Sequence, residues 1–515
     1  MVTSLLAGRR ARWSAVIVGA VAIAGCEVGP NYHLPNLPAP TYFSEASTRP
    51  TSQPSVNLAD LPTPQELERW WETFNDPELN RLIGQAMQTN ISLQSAVQNI
   101  RQARASLGIS NAALYPTVDA LGQYNHSRRS NNLGSGGGSS VPTSTGSTGS
   151  SGGSSSSSTS GGGGGASLES DFYQAGFDSS WEIDVFGGLR RGVEAAQANV
   201  EVEIENRREV LITLLGDVAT DYVTLRGLQR QVEITEDNIT TQKQSLELVQ
   251  TLNRAGLSAD LAVTQQEAQV MTTEAELPDL EAQIHQTIHA LSVLLGDEPG
   301  ALESELETPA PIPFGPPHVP PGLPSDLLRR RPDIRMAERQ LAAASAEIGV
   351  ATSELYPQFS LTGSLGFESS QFKNLFNIYS RYFGFGPSVT WPIFTAGSIQ
   401  ANIEVQNALE RQAFYTYEST VLNGFQEVDD ALIAYAKEQD RRAVLEQAVV
   451  ADQKALQMTQ DLYKNGLDTF LDVLTTQNTL LAGEQALTLS QQSVSTDLVA
   501  LYKALGGGWG IGAPQ

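Results

Sequence analysis

The sequence predicts a mainly helical chain built as two tandem copies of one unit, each with two β-strands and a long coiled-coil helical hairpin. Three observations carry that prediction. Landmarks recur at an offset of 210 residues: Trp181 with Trp391, Gly256 with Gly466, Leu257 with Leu467, and Leu295-Gly296 with Leu505-Gly506. Between them Ile204, Leu211, Val218, Leu225, Val232, Ile239 and Leu246 stand every seventh residue. Their counterparts Phe414, Val421, Val428, Tyr435, Arg442, Val449 and Leu456 break the row only at Arg442. Such a spacing holds one helical stripe against a neighbouring helix. Four other segments alternate apolar and polar residues with period two, the spacing of a strand with one wet face.

The chain opens on a targeting segment. Arg9, Arg10 and Arg12 precede a short apolar core, Trp13 to Ile23, and then Ala24-Gly25-Cys26, which holds the only cysteine. The core is shorter than the roughly 20 apolar residues of a spanning helix. Ile23 to Cys26 resembles a bacterial lipobox, which implies a signal peptide of residues 1–25, cleavage before Cys26 and acylation of that residue. Glu27 in the next position fits outer-membrane sorting of such a lipoprotein. Removing 1–25 takes three Arg and no acid, so a net charge of −25 becomes −28. That acidic excess argues against nucleic acid as a partner, which needs a basic face. Residues 26–64 are rich in Pro, with Asn and Ser, and predict an extended arm.

The first copy spans 65–300. Leu79, Leu82, Ile83, Ala86, Leu93, Val97, Ile100, Ala103 and Leu107 mark a helical stripe. Asn90-Ile91-Ser92 matches a glycosylation triplet, a pattern short enough to arise by chance. Beyond Tyr115-Pro116 the period changes. Strands are predicted at about 116–128 and 171–186 here, and at about 357–369 and 381–394 in the second copy. Each is near the roughly 10 residues that cross a bilayer as a tilted strand. The polar partners are small or acidic, as a wet lumen requires. Tyr115, Trp181, Tyr356 and Trp391 all stand at strand–helix junctions, where an aromatic girdle would lie. Four strands cannot close a barrel, and an open edge in lipid leaves backbone groups unpaired. Chains therefore share one transmembrane β-barrel, of eight, twelve or sixteen strands for two, three or four chains.

The Tyr115–Tyr356 offset is 241 against 210 for the Trp pair, so the first strand hairpin is 31 residues longer. A Ser/Gly-rich loop without charge, 130–168, accounts for the excess. Gly161 to Gly165 is no phosphate cradle, because no Gly-Lys-Ser/Thr follows. It reads as a disordered surface insertion.

From about Gly188 to Leu252 no proline intervenes, and at 1.5 Å per residue that is roughly 100 Å of helix. Leu252 to Leu257 and Leu462 to Leu467 are matching turns with Gly past a basic last turn, a left-handed cap. Pro278 should kink the first return helix, whereas the second copy has Thr488 there. A Pro-rich linker, 301–324, joins the second copy, 325–508, and 509–515 form a tail. His285 and His289 are four apart on a helix, but they flank the stripe Ile284, Ile288, Leu291 and Leu295 and lack a third ligand, so no metal site is expected. Asp429-Asp430 and Glu201, Glu203 and Glu205 read as solvated faces. No nucleophile–base motif is present, and neither an enzyme nor a cofactor is expected beyond the lipid on Cys26.

Several stretches together resemble one family. They are Cys26-Glu27-Val28-Gly29-Pro30-Asn31-Tyr32, Leu277-Pro278-Asp279-Leu280 with Leu294-Leu295-Gly296, the run LPSDLLRRRPDIRMAERQLAAASAEIG from Leu323 to Gly349, Tyr356-Pro357, and Leu505-Gly506 to Trp509. The chain is similar to the TolC-like and OprM-like outer membrane factors, channel components of Gram-negative tripartite efflux pumps, in their lipoprotein branch. The resemblance implies a homotrimer, with a 12-stranded barrel continued by a 12-helix tunnel through the periplasm. It implies a periplasmic membrane-fusion adaptor and an inner-membrane pump as partners, with outer-membrane lipid around the barrel. It places a periplasmic gate at Asp472, with Asp468 nearby, while a second family carboxylate position holds Thr475. It places adaptor docking at Arg254, Gly256, Leu257, Lys464, Gly466 and Leu467. The implied activity is passive conduction of small molecules such as drugs. A channel for one-step protein secretion would use the same tunnel, and heavy-metal export is the remaining alternative, unsupported by five Met and five His.

Overall fold

The computed structural model describes residues 27–36, 67–128, 130, 169–316 and 324–510. Cys26, the signal segment, most of the Pro-rich arm and the Ser/Gly-rich loop lie outside the described residues. In chain order, a tight turn Trp70–Phe74 precedes α1 (Pro77–Thr89), α2 (Ile91–Ala112), β1 (Thr117–Arg128), β2 (Glu169–Ile183), α3 (Gly188–Arg254), α4 (Asp260–Glu274), α5 (Leu277–Leu294) and α6 (Glu303–Leu306). Then follow α7 (Pro324–Arg330), α8 (Pro332–Ser353), β3 (Gln358–Ser369), β4 (Arg381–Thr390), α9 (Ser398–Lys464) and α10 (Phe470–Ala504). The chain divides into two compact units. One comprises Met1–Val28, Asn111–Arg190 and Thr352–Gly397; the other comprises Gly29–Ser110, Arg191–Ala351 and Ser398–Gln515.

The strand unit is one antiparallel sheet in the order β1-β2-β3-β4. β4 ends at Thr390 rather than near 394, since Pro392 has no N–H to continue a ladder. Pro387 is tolerated opposite Leu361 because β4 is an edge strand.

The helical unit is organised around α3, 67 residues long and thus roughly 100 Å. α1 starts at an Asp76 cap whose carboxylate accepts from the Glu78 and Leu79 amides, with Pro77 in the first helical position. Tyr222 of α3 donates to the other Asp76 oxygen at 2.8 Å. The sequence stripe breaks at Asn90, which is buried and caps α2 by accepting from Leu93 N, so it is a helix cap and not a glycan site. Leu79, Leu82, Ile83 and Ala86 bury one face of α1 against α3, α5 and α10.

The two copies bury their heptad rows differently. On α9 the row holds: Val421, Val428, Tyr435, Val449 and Leu456 are buried, and Arg442 stays half-buried with its guanidinium over Phe314. On α3 the single-seam expectation fails. Leu211, Val218 and Leu225 are buried, but so are Ile212, Leu214, Leu215, Ala219, Tyr222, Val223 and Leu228, which widen the buried face well beyond one row and leave only the side of Asp217, Thr220 and Asp221 outside it. Elements remote in sequence cause this, since α1, α5, α10 and Trp509 all enter the same core. Trp509 is therefore a core residue and not the start of a tail. At Pro278 the first return helix is interrupted outright: α4 stops at Glu274 and α5 begins at Leu277, with the proline in its first turn. The second return helix, α10, runs unbroken through Thr488.

Arg331, between α7 and α8, clasps the ends of this unit. It is buried, pairs with Asp333 at 2.6 Å and Glu427 at 2.7 Å, and donates to the Ala504 carbonyl at the C-terminus of α10. Burial works against its charge, but Asp333 and then Glu427 more than offset that and raise its pKa. Glu205 is not on a solvated face as expected: it is buried between Arg208 and Arg335, whose guanidinium groups both cover the Trp509 ring.

Candidate functional site

Three regions answer to the functional residues that the sequence singles out: the sheet, the hairpin tips and the start of α10. In the sheet, the register aligns all four alternations. Val118, Ala120 and Tyr124 of β1 face the same way as Tyr173, Phe177, Trp181 and Ile183 of β2, because Ala120 pairs with Phe177 and Tyr124 with Tyr173. The ladder continues this face through Phe359, Leu361, Leu365 and Phe367 to Val389, Phe385 and Phe383. Among the described residues nothing covers it: Phe177, Leu365, Phe383 and Phe385 are 52%, 59%, 75% and 82% exposed. The opposite face carries Ser, Thr, Gly and Gln with Asp119 directly opposite Asp178, and also Glu182 and Glu368. No Lys or Arg of the four strands lies on that face.

From Ile183 to Tyr173 the apolar row on β2 climbs ten residues. At about 3.3 Å each, and a strand tilt of roughly 40°, that is a band about 25 Å tall, the height of the apolar belt of an outer-membrane barrel. The two edges of the sheet, β1 and β4, pair with nothing among the described residues. Among the described residues no helix is long and apolar enough to cross a membrane.

The four junction aromatics are built the same way twice. Trp181 donates its indole N–H to the Leu114 carbonyl at 2.9 Å, and Trp391 donates to the Leu355 carbonyl at 3.1 Å. Each acceptor immediately precedes a Tyr-Pro pair, Tyr115-Pro116 or Tyr356-Pro357. Tyr115 and Trp391 are exposed, and Tyr356 stacks on Phe186 at 4.6 Å.

In the helical unit the two hairpin tips share one backbone geometry. Gly256 (φ 74°) and Gly466 (φ 70°) take the left-handed conformation that ends a helix. The amides of Gly256 and Leu257 close onto Asn253 and Leu252, and those of Gly466 and Leu467 onto Tyr463 and Leu462. A hydroxyl contact of 3.2 Å between Ser258 and Tyr463 ties one tip to the other. The caps account for the glycines. They do not account for Leu257 and Leu467, which stand 76% and 74% exposed where the residue after such a cap usually packs back on its helix. Arg254 and Lys464 occupy the last turns, where a cation meets the negative end of the helix dipole.

Asp468 accepts from the Thr469 amide, and Asp472, in the first turn of α10, accepts from the Thr469 hydroxyl. Those bonds, from Thr469 first and then Asp468, hold the exposed Asp472 carboxyl below its usual range. Thr475 turns its hydroxyl back to the Leu471 carbonyl. The first copy has Ser258 and Ala262 at the matching positions, so these carboxylates belong to one hairpin only.

Two features escape sequence reading. Glu303 approaches His289 at 3.2 Å and His285 at 3.5 Å, hydrogen-bond distances rather than ligands converging on one ion. Among the described residues no group of three or more His, Cys, Asp or Glu is disposed to hold a metal. Toward the tips, α3, α4 and α10 meet through a small apolar cluster, Val249, Ala262, Phe470 and Val473, and beside it through buried amides and hydroxyls: Gln266 donates to the Gln242 carbonyl at 2.9 Å, and Gln477 to the Ser245 hydroxyl at 2.7 Å. Among the described residues, both amide atoms of the Gln242 side chain lack a partner. Only a polar residue inside a buried heptad flank would have hinted at this.

Comparison with known proteins agrees with this geometry. The family model described as outer membrane efflux protein matches residues 82–297 and 323–507. A solvent efflux pump outer membrane protein, SrpC of Pseudomonas putida, is 32% identical over 95% of this chain and 97% of its own length. The cation efflux system protein CusC of Escherichia coli O6:H1 is 30% identical over 95% of this chain and 97% of its own. The solved outer-membrane channel OprN superposes with a TM-score of 0.81 at 30% identity, covering 94% of this chain and all of that one. The chain belongs to the outer membrane efflux protein family.

Proposed function

We propose that the chain is the outer-membrane exit duct of a tripartite efflux pump, passively conducting small organic molecules out of the cell. The observation that carries this is the two-faced sheet: an exposed apolar band of membrane height on one side, a base-free polar surface on the other, and two unpaired edges. Edges left open in lipid are too costly to persist, so β1 of one copy pairs with β4 of another, and the family resemblance sets the number of copies at three, a 12-stranded barrel. A second heptad row on α9, Tyr415, Leu422, Ala436, Ala443 and Val450, interrupted by half-buried Asp429, is exposed in the single chain at its apolar positions and supports packing between copies in a 12-helix periplasmic tunnel. Acylated Cys26 anchors the chain in the outer membrane, and the junction aromatics mark the periplasmic interface of the bilayer.

At the tips, exposed Leu257 and Leu467, with Arg254, Lys464 and the Gly256 and Gly466 turns, receive the periplasmic adaptor, and an inner-membrane pump supplies the energy. Asp472 and Asp468, repeated around the trimer, form a gate that attracts cations. The relatives named for solvent efflux favour organic solutes as cargo.

Planar-bilayer recording with purified trimers tests the duct. Open-channel steps are expected, and a water-soluble monomer that passes no ions overturns it. Asp472→Ala should change conductance and relieve cation block. Leu257→Ser with Leu467→Ser should abolish adaptor crosslinking while trimers persist.

A further inference from the structure

The loop between β3 and β4 is an ordered, aromatic and cationic feature that conduction does not use. Its fold is held internally. Gln371 N binds the Ser369 hydroxyl, Asn377 accepts from Tyr379 N, Ser380 donates to the Asn374 carbonyl, and Leu375 is buried. Yet it turns Phe372, Phe376, Ile378 and Tyr379 outward, 64% to 93% exposed. Phe372 meets Tyr173 edge-on at 5.7 Å and Phe376 meets Phe367 at 5.9 Å. Tyr173 and Phe367 both belong to the apolar face, so the loop prolongs that face past the strand ends. Two cations flank it. Lys373 and Arg381 are exposed and form no ion pair among the described residues, whereas the neighbouring carboxylates Glu169 and Asp171 are engaged by Arg128 and His126. Apolar rings beside unneutralised cations at the rim of an apolar belt suit the boundary between acyl chains and anionic headgroups.

We propose that this loop binds phosphate-bearing lipid headgroups of the distal leaflet, Lys373 and Arg381 taking the phosphates while the four apolar side chains enter the acyl boundary. The proposal rests on the apolar face lying against lipid.

Full-length protein in detergent, titrated with lipid A and separately with phosphatidylcholine and read by native mass spectrometry, tests it. Lipid A should be retained in preference. Lys373→Gln and Arg381→Gln should each weaken that retention roughly fivefold, and Lys373→Arg with Arg381→Lys should restore it. Arg128→Gln, removing a cation already paired with Glu169, should change little. Equal retention of the two lipids, no loss in the Gln variants, or as large a loss in Arg128→Gln would overturn the headgroup site. So would loop variants that lose only a protein partner. Flotation with phosphatidylcholine vesicles separates the two levels: protein that floats without discriminating refutes this site alone, and protein left in the aqueous phase refutes the lipid-facing surface beneath it.

Discussion

Ser364 and Leu365 are adjacent in β3 yet face opposite ways, which makes them a test of which side meets lipid. Leu365 stands between Phe177 and Phe383 at mid-height of the apolar band. Ser364 lies opposite Asp178 on the polar face. Leu365→Arg would bring a guanidinium to the bilayer midplane at a cost of roughly 2–4 kcal/mol per chain, or about 6–12 kcal/mol for three copies in one barrel. That is comparable with the whole stability of an ordinary domain. Ser364→Arg places the same side chain in a wet lumen beside a carboxylate, and its effect should stay within about 1 kcal/mol. Both variants would be folded from urea into short-chain lipid vesicles, with the inserted trimer read by flotation and by its mobility before heating. The Leu365 variant should insert poorly and melt at lower denaturant, and the Ser364 variant should match the parent. Equal losses, or the reverse order, would refute the assignment of faces.

Three further outcomes follow from the helical unit. Arg331→Met should cost about 3–5 kcal/mol, since it strands Asp333, Glu427 and the Ala504 carbonyl; the thermal midpoint of the helical circular dichroism reads it, and Arg331→Lys should recover part. Burial, and then Asp217, push the Asp221 carboxyl up to about 6, so its ionisation opposes folding. The stability it favours is full below about pH 4 and lost as pH rises through 6; with solvent screening of this half-buried group, Asp221→Asn should stabilise by about 1–2 kcal/mol at pH 7.5 and not at pH 4, in denaturant titrations at both. Gln242→Met should stabilise the tip half of the hairpins by about 1–3 kcal/mol by removing a buried amide without partners, seen as slower amide hydrogen exchange in α4.

What could be read from sequence follows from where each burial originates. The α9 row forms one narrow buried stripe, against α10 over most of its length and against α8 at Val421, so period seven suffices to find it. The sheet faces were equally legible, because period two is imposed residue by residue and the ladder merely aligns four such patterns. α3 was not legible beyond its single row, since its buried face is widened by α1, α5 and Trp509, which no pattern local to α3 announces. The arm is similar: Tyr32 donates to Glu338 at 2.9 Å and Asn31 accepts from Arg191 at 2.6 Å, partners that no local pattern announces. Nor could charge patterning separate Glu205, buried under Trp509, from a solvated acid. Among the candidate site residues, the tip glycines were explained locally by cap chemistry, whereas the exposure of Leu257 and Leu467 needed the structure.

The two copies have diverged in a direction that fits a duct assembled from several chains. α3 keeps a polar side at Asp217 and Asp221 and spends its apolar surface on an internal core. Each copy contributes one free sheet edge, β1 or β4, among the described residues, but α9 also keeps Tyr415, Leu422 and Val450 exposed, so the second copy holds apolar helical surface that a lone chain leaves uncovered. The same copy alone carries Asp468 and Asp472 at its tip, and its return helix is unbroken where Pro278 divides the first. Both hairpins share the large apolar core, but between it and the small tip cluster of Val249, Ala262, Phe470 and Val473 they are joined by polar contacts such as Gln477 with Ser245. An apolar seam loses contact area with every ångström of shift, while amides and hydroxyls can exchange partners. Movement near the tips is therefore expected at the polar layer between α3 and α10, with the α1–α3–α5 core and the Arg331 clasp as its fixed base.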